Sequence, residues 1–341
     1  MNLLEQTKEL CRLYNIKPAR SKGQNFLIKE EIYDKIIETA ELKPNDVVLE
    51  VGPGLGFLTV KLAARVKKII AVELDDKLSG VLKKSLLNDN VKNVEVVNEN
   101  ILDFNFQFPI SNFQTISNFQ FPNKSKIQNL NNFKDPNNPK NSKFKVVANL
   151  PYNITSIFLR KFLAEIEYKP ELMVLMLQQE VAERLTAKPG KMSLLAVSVQ
   201  FYAEPEIIDY VAKENFWPQP EVDSAIIKIK PHLRLPLLTG GINKVLPLAK
   251  EETPSFVLPF IKGEIKRGCV DKERDFFRLV KFGFSSKRKM LKNNLAAGYK
   301  ISSQMAENKL KKVGFNPKIR AEELAVEDWL KLFGEFRQNM L

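Results

Sequence analysis

What most limits the folds open to this chain is an alternation. Over its first half, short runs of β-branched residues follow helical stripes with little between them. Residues 32–40 set Ile32, Ile36, Ile37 and Ala40 on one helical face, and residues 47–51 form an apolar run that ends at glycines. The pattern repeats: 57–66 helix, 68–73 strand, 78–86 helix, 94–97 strand. It resumes at 145–148 as strand, 154–166 as helix and 172–177 as strand. Strands that are apolar throughout and alternate with helices imply a parallel sheet covered on both faces, a Rossmann-like α/β fold. Residues 225–230 alternate apolar side chains with Lys, which predicts a half-exposed antiparallel edge.

The pattern breaks at residues 105–143, a tract rich in Asn, Phe, Gln and Pro that repeats NFQFP and ISNFQ. Such bias with few β-branched residues reads as a surface insertion in preference to an RNA-binding arm, although its lysines and phenylalanines suit the second reading. Beyond Pro231 the strand signals fade. Residues 271–282, 286–297, 302–313 and 321–333 read as short amphipathic helices, with Lys287, Arg288 and Lys289 on the second. The expected organisation is a sheet domain at 1–231, a linker or second insertion at 232–270, and a small all-helical domain at 271–341.

The glycine-rich stretch Glu50-Val51-Gly52-Pro53-Gly54-Leu55-Gly56 joins a predicted strand to a predicted helix. There glycines admit a nucleotide-like ligand to the backbone, and the helix start offers amide donors. A hydride-cofactor fingerprint needs a further glycine at 57, where this chain has Phe, so the loop fits the G-x-G-x-G form common to S-adenosylmethionine enzymes. Glu73 ends the next strand, where an acid can accept hydrogen bonds from both ribose hydroxyls. A structural turn beside a solvated carboxylate is the bland alternative.

Asn149-Leu150-Pro151-Tyr152 directly follows a predicted strand, at the sheet edge where open α/β folds bind ligands. An adenine N6 lone pair is delocalised into its ring, so methylating it requires orienting the amine and favouring its pyramidal form. The Asn149 amide oxygen and the Leu150 carbonyl can accept the two amine protons, while Tyr152 can stack on the base. A capped turn would explain the same tetrapeptide standing alone. With Cys11 and Cys269 as the only cysteines and His232 the only histidine, no metal-thiolate or imidazole machinery is expected.

Charge narrows the partner. Lys and Arg number 53 against 40 Asp and Glu, a net +13, which favours a polyanion: nucleic acid or an anionic membrane surface. No stretch has the length of a membrane span and the N-terminus carries no leader pattern, so a cytoplasmic protein that does not enter membranes is expected.

Five ordered motifs then carry a resemblance. They are S-K-G-Q-N-F-L at 21–27, the loop at 50–56, N-L-P-Y at 149–152, F-W-P-Q-P-E-V-D-S at 216–224 and F-S-S-K-R-K-M-L-K-N-N-L at 284–295. Together they resemble the ribosomal RNA adenine N6-dimethyltransferase family, specifically its KsgA group, across residues 20–335 apart from the insertions. The resemblance implies S-adenosylmethionine-dependent dimethylation of two adjacent adenosines near the 3′ end of small-subunit rRNA, on a pre-30S particle, by a monomer. It implies that Gln24, Asn25 and Leu27 close over the methionine end of the cofactor, that Gly52, Gly54 and Gly56 line it, and that Glu73, Leu74, Asn100, Ile101 and Asn149 complete its site. Asn149, Leu150, Pro151 and Tyr152 would act on the target base, with Phe216 stacking on it opposite Tyr152. The family usually has Asp where this chain has Asn100, which keeps an acceptor for the cofactor's adenine. Lys287, Arg288 and Lys289 would contact RNA phosphates.

Overall fold

A computed structural model describes residues 1–18, 23–104, 144–166, 169–232 and 264–337. The expected insertion at 105–143 and most of the expected linker lie outside the described residues. Two compact units form, residues 1–182 with 205–231, and residues 183–204 with 232–341. The expected first domain, 1–231, thus gives up residues 183–204 to the second unit.

The first unit is built on a seven-stranded sheet. Its strands are β2 (Val47–Val51), β3 (Lys68–Glu73), β4 (Val94–Asn98), β5 (Phe144–Asn149), β6 (Leu172–Gln178), β7 (Ala203–Val211) and β9 (Ser224–Pro231). Their order is β4-β3-β2-β5-β6-β9-β7. The first five run parallel and β9 pairs antiparallel with β6. Around them lie α1 (Leu3–Leu13), α2 (Glu30–Thr39), α3 (Phe57–Ala63), α4 (Asp76–Asn88) and α5 (Thr155–Arg160), and α6 (Gln179–Leu185) follows β6. The side chains of β2, β3, β5 and β6 are buried nearly end to end, as strands covered on both faces must be. A second, two-stranded sheet joins β1 (Phe26–Leu27) to β8 (Phe216–Trp217), with Leu27 opposite Phe216.

One expectation about this sheet is corrected. The strand at 225–230 is not the edge: β9 lies inside the sheet, and Ile226, Ile227 and Ile229 are buried. The edge is β7, whose Glu204, Asp209 and Tyr210 are exposed. Lys228 mimicked an edge residue in the sequence, but its ammonium pairs with Glu41 while its stem packs inward.

Strand order reverses between β2 and β5. Chain order runs outward from β2 through β3 to β4 on one side, and from β5 to β6 on the other. At such a switch point two strand ends leave a crevice because their connections depart in opposite directions, and open α/β sheets bind ligands there. Val51 pairs with Ala148, so Gly52 and Asn149 emerge side by side at this crevice.

The second unit contains α7 (Leu194–Tyr202), α8 (Glu264–Gly283), α9 (Leu291–Tyr299), α10 (Ser303–Lys312) and α11 (Val326–Arg337). Phe201 of α7 stacks on Phe276 of α8 with ring centroids 4.7 Å apart, and Trp329, Leu332 and Phe333 of α11 are buried. Helix α8 begins at Glu264, ahead of the expected start at 271, and α9 begins only at Leu291. Lys287, Arg288 and Lys289 therefore sit in the turn between these helices, not on a helix. The turn is fixed by the buried Asn294, whose Nδ2 donates to the carbonyls of Gly283 at 2.6 Å and Ser286 at 3.0 Å. All three basic side chains are exposed.

Candidate active site

A cavity of about 270 Å³ occupies the switch point of the first unit. Each wall comes from a different strand end. The glycine loop leaves β2 with φ of +66° at Gly52, +59° at Gly54 and +88° at Gly56, a region only glycine enters without strain. A side chain at Gly54 would bring its Cβ to 3.3 Å from the Phe26 ring. Gly52 and Gly54 line the cavity. Gly56 does not: it begins α3, and a Cβ there would lie 2.5 Å from Leu82 Cδ1, so its demand is helix packing.

Glu73 ends β3 against this loop. Its Oε2 accepts from the Gly54 amide at 3.0 Å and its Oε1 from the Asp75 amide at 2.9 Å. A carboxylate has about four lone-pair positions, so two main-chain donors leave capacity for a vicinal diol. Burial raises the Glu73 pKa, and the Asp75 and Gly54 amides offset part of that rise. Asp75 also caps α4, accepting from the Lys77 and Leu78 amides, and takes a 3.3 Å hydrogen bond from Gln24 Nε2.

Next to Glu73, Leu74 is 65 % exposed and Ile101 is buried, and both line the cavity with Asn100. An aliphatic wall with a polar amide suits a planar base. Asn100 closes its own turn, accepting from the Leu102 amide at 3.0 Å and donating to Asp103 at 2.9 Å.

On the β5 side, Asn149 Nδ2 donates to the Asn25 carbonyl at 3.4 Å, which leaves the amide oxygen as the atom able to accept a proton-bearing amine. Pro151 lines the cavity, whereas the Leu150 side chain is buried and its amide donates to Met176. Leu150 can therefore act only through its carbonyl. Tyr152 lies outside the cavity wall, its hydroxyl 2.8 Å from Ser224 Oγ. Burial is the largest influence raising the Tyr152 pKa. Gln24, Asn25 and Leu27 all join the wall.

Phe216 is placed differently from the expectation. It is 3 % exposed and belongs to the core cluster of Leu27, Tyr33 and Ile36, so its ring is covered by its own protein. The β1–β8 pairing that sets it opposite Leu27 puts it there.

Sequence reasoning missed Glu50. It is 1 % exposed, lines the cavity, and neither carboxyl oxygen meets a hydrogen-bond donor among the described residues. Burial pushes its pKa up to about 8; the nearby Thr59 hydroxyl opposes this shift and the Glu73 charge adds to it. The signal was present as an acid inside an otherwise apolar strand.

These features fit S-adenosylmethionine: a glycine cradle, a diol-competent acid, an aliphatic wall, and a second carboxyl group buried in the cavity wall. Among the described residues no cluster of His, Cys, Asp and Glu could hold a metal ion.

A switch-point site of this build, with the Asn149 amide in the cavity wall, is that of an S-adenosylmethionine-dependent methyltransferase. Comparison with known proteins narrows the class. The family model described as Ribosomal RNA adenine dimethylase matches residues 16–237, and the chain belongs to that family. The chain is 37% identical over 338 residues to a protein of Dehalococcoides mccartyi named Ribosomal RNA small subunit methyltransferase A, covering 99% of this chain and 95% of the relative. A protein of the same name from Natranaerobius thermophilus is 34% identical, covering 98% and 97%. In fold, the chain resembles a dimethyladenosine transferase from Plasmodium falciparum, with a TM-score of 0.63 at 24% identity, covering 92% of this chain and 98% of that one. It resembles the 23S rRNA methyltransferase ErmE with a TM-score of 0.60 at 24% identity, covering 92% and 100%.

Proposed function

We propose that this chain transfers two methyl groups to N6 of each of two adjacent adenosines near the 3′ end of small-subunit rRNA, acting as a monomer on a pre-30S particle. The observation that carries the reading is the Asn149 amide, anchored through its nitrogen to Asn25 at the switch point, with its oxygen left to meet an amine. S-adenosylmethionine supplies the electrophilic methyl group when bound. Gly52, Gly54, Glu73, Leu74, Asn100 and Ile101 would hold it, with Gln24, Asn25 and Leu27 covering its other end.

The rest falls to the chain's own residues. The Asn149 oxygen and the Leu150 carbonyl accept the two N6 protons and so favour a pyramidal amine whose lone pair points away from them. Tyr152, tethered by Ser224, offers a ring for the base. Phe216 backs β1 from the core, and we assign it no stacking surface. No strong base is required, because the amine nitrogen becomes acidic as it is methylated and loses its proton to water. The exposed Lys287-Arg288-Lys289 turn contacts RNA phosphates.

The relatives' names favour the small subunit over the large one, since likeness to the 23S enzyme extends to fold alone. The test is direct. Small and large ribosomal particles from cells lacking this activity are incubated with the protein and S-adenosylmethionine, and N6-dimethyladenosine is mapped by mass spectrometry. Modification of adjacent adenosines in the small-subunit rRNA is expected. Modification confined to the large-subunit RNA would overturn the assignment.

A further inference from the structure

Helix α5 runs into a π-helical turn, Lys161–Glu165, and the first residue of that turn reaches across to the segment after β4. Lys161 Nζ donates to the carbonyls of Leu102, of Phe104 at 2.9 Å and of Ile101 at 3.3 Å. An ammonium group has three N–H donors, and here three carbonyls of one tight turn receive them.

Asn100 engages the turn from its other side. The Asp103 and Phe104 amides both return to the Asn100 carbonyl, at 2.9 and 3.0 Å, and the Asn100 side chain bridges the Leu102 amide and Asp103. Three of its amides, those of Leu102, Asp103 and Phe104, are thus gathered on Asn100, and three of its carbonyls, those of Ile101, Leu102 and Phe104, on Lys161. Asn100 and Ile101 line the cavity, whereas Lys161 stands behind them and does not. Partial burial draws the Lys161 pKa below the ordinary lysine value, while Asp103 and Glu165 oppose that shift.

We propose that Lys161 is a positioning residue for the nucleoside part of the cofactor, holding the 101–104 turn so that Asn100 and Ile101 stand at the cavity wall. This rests on the reading of the cavity as the S-adenosylmethionine site. Nothing in the sequence spacing announces it, because the ammonium and its acceptors are brought together only where the fold sets the π-helical turn beside the 101–104 turn.

The test uses Lys161→Met, which keeps an apolar stem and removes every donor, and Lys161→Arg, which restores N–H groups on a cation. Affinities for S-adenosylmethionine and for 5′-methylthioadenosine, a probe lacking the amino-acid end, are measured by calorimetry on the full chain. Lys161→Met should weaken both by a common factor of about ten, the equivalent of losing about 1.4 kcal/mol. The methylation rate at saturating cofactor should stay within about twofold of the parent's, and Lys161→Arg should recover most of the affinity. A purely structural role would instead lower melting temperature and rate while leaving the affinity of the folded protein unchanged, and that pattern overturns the proposal. Should Lys161→Met fail to fold, Lys161→Gln, with a shorter neutral donor, decides by the same comparison: parental affinity for both probes overturns the proposal and a shared loss supports it. If the parent itself bound neither probe, the cavity reading would fall and this proposal with it.

Discussion

The Glu73 carboxylate accepts a hydrogen bond from the Gly54 main-chain nitrogen at 3.0 Å, so the acid at the end of one strand fixes the loop at the end of its neighbour. Its other oxygen takes the Asp75 amide, which ties the same acid to the start of α4. One carboxylate thereby organises three elements around the cavity before any ligand arrives.

Replacing Glu73 should therefore cost cofactor affinity. Hydrogen bonds to a charged acceptor are worth about 1.5–3 kcal/mol, so Glu73→Ala is expected to weaken S-adenosylmethionine binding about ten- to a hundredfold by calorimetry. Gly54→Val should act in the same direction, since its Cβ would crowd the Phe26 ring at 3.3 Å from a backbone with φ of +59°. Unchanged affinity in a folded Glu73→Ala protein would remove the acid from the site.

Glu50 predicts a pH dependence of stability. Its folded-state pKa is raised from 4.5 to about 8, so between those values the folded protein holds a proton that the unfolded chain releases. Stability from this group is present below the unfolded value and is lost as pH rises through the folded one. Glu73, also raised by burial, contributes with the same sign. The melting temperature of the ligand-free protein should fall from about pH 5 to about pH 8, and Glu50→Gln, which mimics the protonated acid, should flatten part of that slope. An identical slope in the variant would mean that Glu50 is ionised in the folded state.

The strands around the site were legible because burial on both faces demands mainly apolar, β-branched runs, and 47–51 and 68–73 are such runs apart from Glu50 in the first and the terminal Lys68 and Glu73 of the second. The glycine loop, Glu73 and Asn149 could be read for the same reason: each sits at a strand end whose position the runs define. Helix α7 could not. Leu194–Tyr202 is apolar on nearly every face, so it carries no helical stripe, and its partner Phe276 is remote in sequence. The β9 edge was misread because lysine alternation looks alike whether the ammonium meets water or Glu41. Phe216 was read from its motif, and a motif does not say which way a ring faces. Lys161 was invisible because its acceptors lie about sixty positions away in the chain.

Charge reversal in the turn, Lys287→Glu with Arg288→Glu and Lys289→Glu, should weaken rRNA association and reduce its salt dependence, with cofactor affinity unchanged. The three side chains are exposed, so folding should survive. Binding titrations at several salt concentrations would show it. Loss of cofactor binding with RNA binding kept would make the turn structural.

Tyr152 separates ring from hydroxyl. Stacking on a base is worth about 1–3 kcal/mol, so Tyr152→Ala should impair capture of the adenosine. Tyr152→Phe keeps the ring and loses only the 2.8 Å contact with Ser224, and should retain much of the activity. If the two variants were equally impaired under subsaturating RNA, the hydroxyl tether would be the property that matters.

The chemical step proposed above rests on Asn149. Its nitrogen donates to the Asn25 carbonyl, and the strand pairing of Val51 with Ala148 holds it beside Gly52, so on this proposal its oxygen would meet the amine with little reorganisation. Removing one such positioned group lowers a rate by about a hundred- to a thousandfold. Asn149→Ala is thus expected to slow methylation by that factor while changing cofactor and RNA affinity far less. Steady-state turnover would mix these effects with product release. Single-turnover methylation of a small-subunit particle, with enzyme and cofactor saturating, isolates the step. Because Asn25 would lose its donor as well, Asn149→Asp serves as a companion: it keeps oxygen acceptors but cannot donate to the Asn25 carbonyl while ionised. A slow Ala variant beside a faster Asp variant would place the effect on the acceptor oxygen, and an Ala variant running at the parental rate would reduce N-L-P-Y to a structural turn.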